Sequence, residues 1–229
     1  MLKRASLAAV IAVTAALAVS GPSGVASATT PRQAVWFGSP MAGCSWPGTA
    51  SAAQHTQDNA HYGYDWAADI CVGKPTNSAV TLYAAPQTAG RNIRAFANTV
   101  ASCAGSTVRV DFYDGTKDSA HKIGSVYYTH VNPKLASGTE IPKAAVTATN
   151  PYMFKQQIGT LYAAPGPIKG CWTGNHIHIA ALNVANYACY TKEWRNGGTM
   201  GAGNFVGFIG GSYGSVAGPG GTRVGKACP

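Results

Sequence analysis

The sequence predicts a mostly β fold made of antiparallel strands in a single small domain. Gly, Pro and Tyr are frequent, with 28, 13 and 11 residues, and this composition favours turns and strands over helices. Runs rich in Val, Ile, Thr and aromatic residues recur along the chain, separated by turn-forming pairs such as Asp114-Gly115 and Gly166-Pro167. The chain is also long enough to bury a hydrophobic core.

The N-terminus has the pattern of a secretory signal peptide. Lys3 and Arg4 precede an apolar stretch over residues 5–19, and small residues end the segment at residues 26–28. The apolar stretch is shorter than the roughly 20 residues that a membrane-spanning helix needs. We therefore expect residues 1–28 to be removed from a secreted protein with no membrane span. The remaining chain has 15 basic and 8 acidic residues, a net charge of +7.

Six cysteines lie downstream of the expected cleavage site: Cys44, Cys71, Cys103, Cys171, Cys189 and Cys228. An even number in a secreted chain predicts three disulfides that stabilise the domain. Their order along the chain favours the pairs Cys71–Cys103 and Cys189–Cys228. A zinc-thiolate site is disfavoured because no Cys-x-x-Cys occurs. Gly43-Cys44-Ser45-Trp46 faintly resembles the nucleophile turn of a cysteine peptidase, but the even count argues against a free Cys44.

Four runs have the composition of strands: residues 79–84, 107–113, 122–130 and 176–183. Residues 114–118 (Asp-Gly-Thr-Lys-Asp) separate the second run from the third and predict a hairpin. Helix is plausible only near residues 89–100 and 151–154.

The C-terminal part of the chain, residues 191–229, is rich in glycine. Glycine alone would suggest a flexible linker, but the apolar run Phe205–Ile209 and the terminal Cys228 favour an extension packed back on the domain.

The histidines carry the strongest indication of chemistry. Only six occur, and His176-Ile177-His178 lies within a predicted strand. Residues i and i+2 of a strand lie on one face about 7 Å apart, so one pocket would receive both imidazoles. His61 and His130 belong to two further short motifs, His61-Tyr-Gly-Tyr-Asp65 and Tyr128-Thr-His130.

These residues can form a catalytic zinc site, which takes three protein ligands and keeps a fourth position for water. On a straight strand His61 and Asp65 would lie about 13 Å apart. They can share a metal only if the chain bends, as Gly63 between them allows. One histidine of the strand pair would be the third ligand, and the other, together with His130, would transfer protons near neutral pH.

Other polar residues are weaker candidates. Glu140 and Glu193 are the only glutamates, and neither adjoins a histidine, so no His-Glu-x-x-His motif exists. His55 and His121 lie in polar surroundings and are expected to be exposed. Asp69 could compete with Asp65, but it is expected in a turn.

The order of the motifs resembles the M23 (LytM and lysostaphin-like) zinc metallopeptidases over residues 61–182. The resemblance depends on segments that follow one another in the order typical of the family: His61-Tyr-Gly-Tyr-Asp65, residues 80–86, residues 108–113, Tyr128-Thr-His130, Gln157-Ile-Gly159-Thr160 and Gly174-Asn-His176-Ile-His178. It implies a small antiparallel β-sheet domain with a groove across one face. The domain organisation is then a signal peptide (1–28), an N-terminal segment (29–50), a catalytic domain (51–190) and the glycine-rich extension (191–229).

The same resemblance implies site roles. It makes His61, Asp65 and His178 the ligands of one zinc ion per chain, and His130 and His176 the pair that activates water and stabilises the oxyanion. Ala180 stands where the family usually has an acidic residue, and residues 69–77 and 161–172 depart from its pattern. The bond preference of the family is therefore not carried over.

The implied function is that of a secreted, monomeric endopeptidase of bacterial peptidoglycan, cutting stem or cross-bridge peptides at the cell wall. A positively charged protein is attracted to polyanions, and we expect the anionic wall as partner rather than nucleic acid. Two alternatives stay open: a non-catalytic wall-binding module, and a secreted zinc amidase or general peptidase of other specificity.

Overall fold

The computed structural model describes residues 35–45, 66–86, 90–102, 105–163, 174–183, 189–190, 199–209, 216–217 and 223–224. These residues form sixteen strands: β1 Val35–Gly38, β2 Cys44–Ser45, β3 Trp66–Ile70, β4 Ala79–Pro86, β5 Ile93–Ser102, β6 Gly105–Asp114, β7 Lys122–Thr129, β8 Val131–Pro133, β9 Thr139–Glu140, β10 Phe154–Leu161, β11 Ile177–Asn183, β12 Cys189–Tyr190, β13 Thr199–Met200, β14 Phe205–Ile209, β15 Val216–Ala217 and β16 Arg223–Val224.

Two six-stranded antiparallel sheets make up most of the fold. The first sheet has the order β12-β14-β1-β4-β10-β8, and the second has the order β3-β11-β7-β6-β5-β9. Two further pairs, β13 with β2 and β15 with β16, complete the described strands. The prediction of a mostly β, antiparallel fold is confirmed.

All four predicted strands are present, as β4, β6, β7 and β11, and their bounds differ by a few residues at most. The predicted hairpin is also present, because β6 and β7 pair from Thr107 opposite Thr129 to Tyr113 opposite Lys122. β11 begins at Ile177, so His176 lies one residue before the strand.

Both helix predictions were wrong. Within residues 89–100, β5 runs from Ile93 and pairs with β6 along its whole length. Its Ile93, Ala95 and Ala97 are buried, and this two-residue period belongs to a strand. Residues 151–154 are not helical either, since Phe154 starts β10 opposite Ala84. Pairing with distant strands outweighs weak local helix propensity.

The hydrophobic core contains buried side chains from both sheets. Phe112 of β6 and Phe154 of β10 meet edge to face, with ring centroids 6.1 Å apart, a favourable aromatic geometry. Val110 and Phe112 of β6 belong to this core, so residues 107, 109 and 111 lie on the opposite face of the second sheet. That opposite face is referred to below as the polar face.

One disulfide is described, between Cys44 and Cys71. The predicted pair Cys71–Cys103 is therefore wrong, because β2 brings Cys44 beside the end of β3, an approach that order along the chain does not reveal. Cys44 is not a free thiol, as expected. Cys103, Cys171 and Cys228, with the side chain of Cys189, lie outside the described residues, as do the predicted Cys189–Cys228 pair and the signal peptide.

Strands that precede and follow residues 51–190, the expected catalytic domain, pair with each other in the first sheet. β1 lies between β14 and β4, and Val206 and Ile209 of β14 are buried. All described residues belong to one compact unit, residues 31–229. None of them forms a helix that is both long and apolar enough to cross a membrane.

Candidate active site

The site is built around β11, which lies between β3 and β7 in the second sheet. Ile177 and Ile179 belong to the core, so His176 and His178 are directed to the polar face. Opposite His178, β3 places Asp69 and β7 places Thr129. His178 and its two cross-strand partners, Asp69 and Thr129, therefore lie side by side on three adjacent strands.

Asp69 contacts both histidines of the pair. Its Oδ1 lies 3.1 Å from His178 Nδ1 and 3.5 Å from His176 Nε2. The expectation that Asp69 is a turn residue was wrong: β3 continues to Ile70, and the turn starts at Cys71. Ala68 and Ile70 are buried in the core, which directs Asp69 to the polar face. The apolar-polar-apolar order Ala68-Asp69-Ile70 was the signal that could have identified it.

His130 lies where the chain passes from the second sheet to the first, between β7 and β8. Its φ is 67°, a left-handed conformation that costs a non-glycine residue roughly 1–2 kcal/mol. The backbone N–H of Tyr162 donates to its carbonyl oxygen at 2.9 Å. Such strained residues concentrate at functional sites.

The His130 ring packs against that of His176. The ring centroids are 4.8 Å apart, with an angle of 80° between the planes, and both residues are buried. Burial lowers the pKa of His130 to about 3, with a further lowering from the charges of His176 and His178 and an opposing effect of Asp69. His130 is therefore neutral at physiological pH and can donate one ring N–H.

The orientation of His176 is fixed by its own turn. Its Nδ1 lies 3.0 Å from the carbonyl oxygen of Gly174, an atom that only accepts hydrogen bonds. Nδ1 therefore carries hydrogen, and in the neutral ring Nε2 has the free lone pair. Nε2 is the atom that faces Asp69.

Three of the five predicted site residues, His130, His176 and His178, are thus brought together. His61 and Asp65 lie outside the described residues, as does His55. Among the described side chains, no three from His, Cys, Asp and Glu are arranged to hold a metal ion. His121 is exposed, as expected, and its Nδ1 lies 2.7 Å from Asp118.

A charged network continues the polar face beyond the histidines, and the sequence did not indicate it. Buried Asp111 on β6 contacts Arg109 and Lys122, each at 2.9 Å, and the Asn98 amide at 2.8 Å. Closer to His178, the hydroxyl groups of Thr107 and Thr129 are 3.0 Å apart. The face that holds the histidines is therefore polar across several strands.

The chain was compared with protein-family models, with curated proteins and with solved structures, and none of the three comparisons gave a match.

Proposed function

We propose that the protein is a secreted zinc-dependent endopeptidase that hydrolyses stem or cross-bridge peptides of bacterial peptidoglycan. The observation that supports this best is the meeting of His130, His176, His178 and Asp69 at one end of β11. Three imidazoles and a carboxylate in one place provide both metal donors and proton-transfer groups. The order of motifs that resembles the M23 peptidases supports the choice of reaction.

The types of donor atom present suit zinc, and residues outside the described part of the chain would have to complete its ligand set. Imidazole nitrogen and carboxylate oxygen are common zinc ligands in hydrolytic sites, and the partly buried His178 has such an oxygen 3.1 Å from its Nδ1. In the proposal His178 holds the metal together with His61, and Asp65 is the carboxylate that the resemblance implies. When bound, zinc polarises a carbonyl group and makes water a nucleophile at neutral pH.

The two buried histidines have different roles in the proposed reaction: one accepts a proton and the other donates a hydrogen bond. The lone pair of His176 Nε2 accepts the proton of the attacking water, because its Nδ1 is engaged with Gly174. Neutral His130 donates a ring N–H toward the oxygen on which negative charge develops. Their edge-to-face contact keeps both rings at fixed positions, as general acid–base catalysis requires.

The charge of the chain supports a wall substrate. The mature net charge of +7 attracts the protein to a polyanionic surface. A non-catalytic wall-binding module would have the same attraction, but it would not need two buried histidines in contact beside a third that faces a carboxylate. A secreted zinc amidase or general peptidase is the remaining alternative.

The test is digestion of purified peptidoglycan, with products identified by mass spectrometry. Wild-type protein should release fragments with new amino termini inside a stem or cross-bridge. A chelator should abolish this release and added zinc should restore it. Cleavage only between the sugar and the first amino acid would favour an amidase. Wall binding with no product in any condition would favour the binding module and refute the proposal.

A further inference from the structure

We infer that a basic cleft, at the end of the second sheet remote from the histidines, is a second binding site that takes an acidic wall polymer by its phosphate or carboxylate groups. The cleft has a volume of about 400 Å³. It is lined by Asn92, Arg94, Gly115, Thr116, Glu140 and Lys143. The site is independent of the zinc chemistry, and only the choice of a wall polymer rests on the proposed function.

The cleft and the histidines lie at opposite ends of the β5–β6 pair. Thr107, near the start of β6, is two strands away from His178 in the same row of the sheet. Arg94 pairs with Tyr113 near the end of β6, six residues farther along, which is about 20 Å in a strand. Both neighbours of Arg94 in β5 are buried in the core, which directs Arg94 to the polar face. A polymer held in the cleft can therefore extend along the polar face to the histidines.

The cleft has an excess of positive charge. Arg94 Nε and Nη2 donate to Glu140 at 2.7 and 2.5 Å, and Lys117 Nζ lies 4.0 Å from the centre of the Phe96 ring on the same face. The hydrogen bonds from Arg94 lower the pKa of Glu140 below its ordinary value, and the charges of Lys143 and Lys117 lower it further. Three cations therefore surround this carboxylate, so the cleft attracts an anion even while Arg94 and Glu140 stay paired.

The lining also provides hydrogen-bond donors for an anionic oxygen. Lys143 Nζ donates to Asn92 Oδ1 at 2.8 Å, which fixes the orientation of the amide and leaves its N–H groups directed elsewhere. Thr116 adds a hydroxyl group from the turn after β6, and the ammonium group of Lys143 has more donors than this one bond uses. Hydrogen bonds from charged donors to phosphate or carboxylate oxygen are roughly twice as strong as neutral ones.

The chemistry of the cleft favours an acidic wall polymer over single-stranded nucleic acid. Proteins that bind single strands stack the bases on aromatic side chains, and the described lining of the cleft includes no aromatic ring. The nearby Phe96 is only 4% exposed, with Lys117 and Arg94 over its ring. A second attachment to the wall would also raise the local concentration of peptide at the histidines.

Calorimetric titration of the full chain with long-chain polyphosphate and with polygalacturonate tests the site and distinguishes phosphate from carboxylate. At low salt, Lys117→Gln/Lys143→Gln should bind the preferred polymer about tenfold more weakly, because each exposed ion pair contributes a factor of up to about five. Lys134→Gln/Lys155→Gln is the matched control: it removes the same charge from two exposed lysines after β8 and in β10 of the first sheet. The control should bind like wild type, and circular dichroism verifies that both variants are folded.

Equal weakening by the two double variants would show attraction by net charge alone and would overturn the site, as would failure of wild type to bind either polymer. Tighter binding of duplex DNA than of both polymers would overturn the choice of a wall polymer. Digestion separates the cleft from the catalytic site: Lys117→Gln/Lys143→Gln should cut a soluble stem peptide like wild type and intact wall more slowly. No cutting by wild type would refute the proposed function, whereas the titrations would still decide whether the cleft binds a polymer.

Discussion

Asp69 and His178 are 109 residues apart in sequence, yet they lie opposite each other on β3 and β11 with Oδ1 and Nδ1 3.1 Å apart. Two residues after Asp69, Cys71 forms the disulfide to Cys44. The strand that carries the carboxylate is thus fixed covalently to β2. Stability and site geometry are therefore coupled at this edge of the second sheet.

We predict that removing the disulfide weakens both folding and metal binding. The bond closes a loop with a sequence separation of 27, for which the chain-entropy model gives about 3–4 kcal/mol. Replacing Cys44 and Cys71 together by serine should lower the free energy of unfolding by about that amount in urea titrations. Zinc affinity should fall as well, since β3 loses its anchor. Unchanged affinity in the folded variant would show that the β3–β11 pairing alone holds β3 in place beside His178.

The pKa of His130 predicts acid sensitivity of the metal-free protein. Its folded-state pKa, about 3, lies below the ordinary value of 6.5, so the unfolded chain takes up a proton that the folded chain does not. The stabilisation is present above about pH 6.5 and is lost as the pH falls toward 3, at up to about 1.4 kcal/mol per pH unit.

His130→Asn tests this prediction, because Asn tolerates a positive φ. With a chelator present, wild type should lose roughly 2–3 kcal/mol more unfolding free energy than the variant between pH 7 and pH 4.5. Equal losses of unfolding free energy in the two proteins would mean that His130 takes up a proton as readily in the folded protein as in the unfolded chain.

Gly159 is predicted to be needed for the position of His130. A Cβ at this glycine would collide with the Asn132 carbonyl oxygen and the Val131 side chain, both in β8, which starts directly after His130. Gly159→Ala should destabilise the protein by about 1–3 kcal/mol and reduce turnover more than zinc affinity. The comparison is Gly201→Ala, whose Cβ would approach the side chain of Asn204, with Oδ1 nearest at 3.3 Å. Similar effects of both variants on thermal unfolding would argue against a special need for glycine at position 159.

Asp111 is predicted to stabilise the polar face. It is 3% exposed and contacts Arg109 and Lys122, whose side chains are about one-third exposed; the loss of buried hydrogen bonds to charged groups typically costs about 1.5–3 kcal/mol. Asp111→Ala should therefore destabilise the protein strongly. Asp118→Ala, at an exposed aspartate paired with His121, should cost at most about 1 kcal/mol. The unfolding midpoints in urea measure both effects, and a small effect at Asp111 would contradict the prediction.

The sequence predicted those features that depend on local pattern. Runs of strand-like composition between turn residues predicted β4, β6, β7 and β11, and the spacing of His176 and His178 placed both on one face. Helix was only plausible over part of β5, and the conformation of this segment depends on pairing with β6.

The remaining errors concern contacts between distant parts of the chain. The partner of Cys71 depends on where β2 lies. The role of Asp69 depends on β3 being the neighbour of β11. The order Ala68-Asp69-Ile70 indicates a strand, but neither the neighbour of that strand nor its register can be read from a local run of residues.

The most direct test of the central claim compares His176→Ala and His178→Ala in one digestion of purified peptidoglycan, with bound zinc and new amino termini quantified in the same samples. We expect wild type to contain one zinc ion per chain and to release new termini. His178→Ala should lose both, whereas His176→Ala should retain zinc and lose most of its turnover. Wild-type release of termini by the zinc-free His178→Ala variant would contradict a catalytic zinc centre at His178.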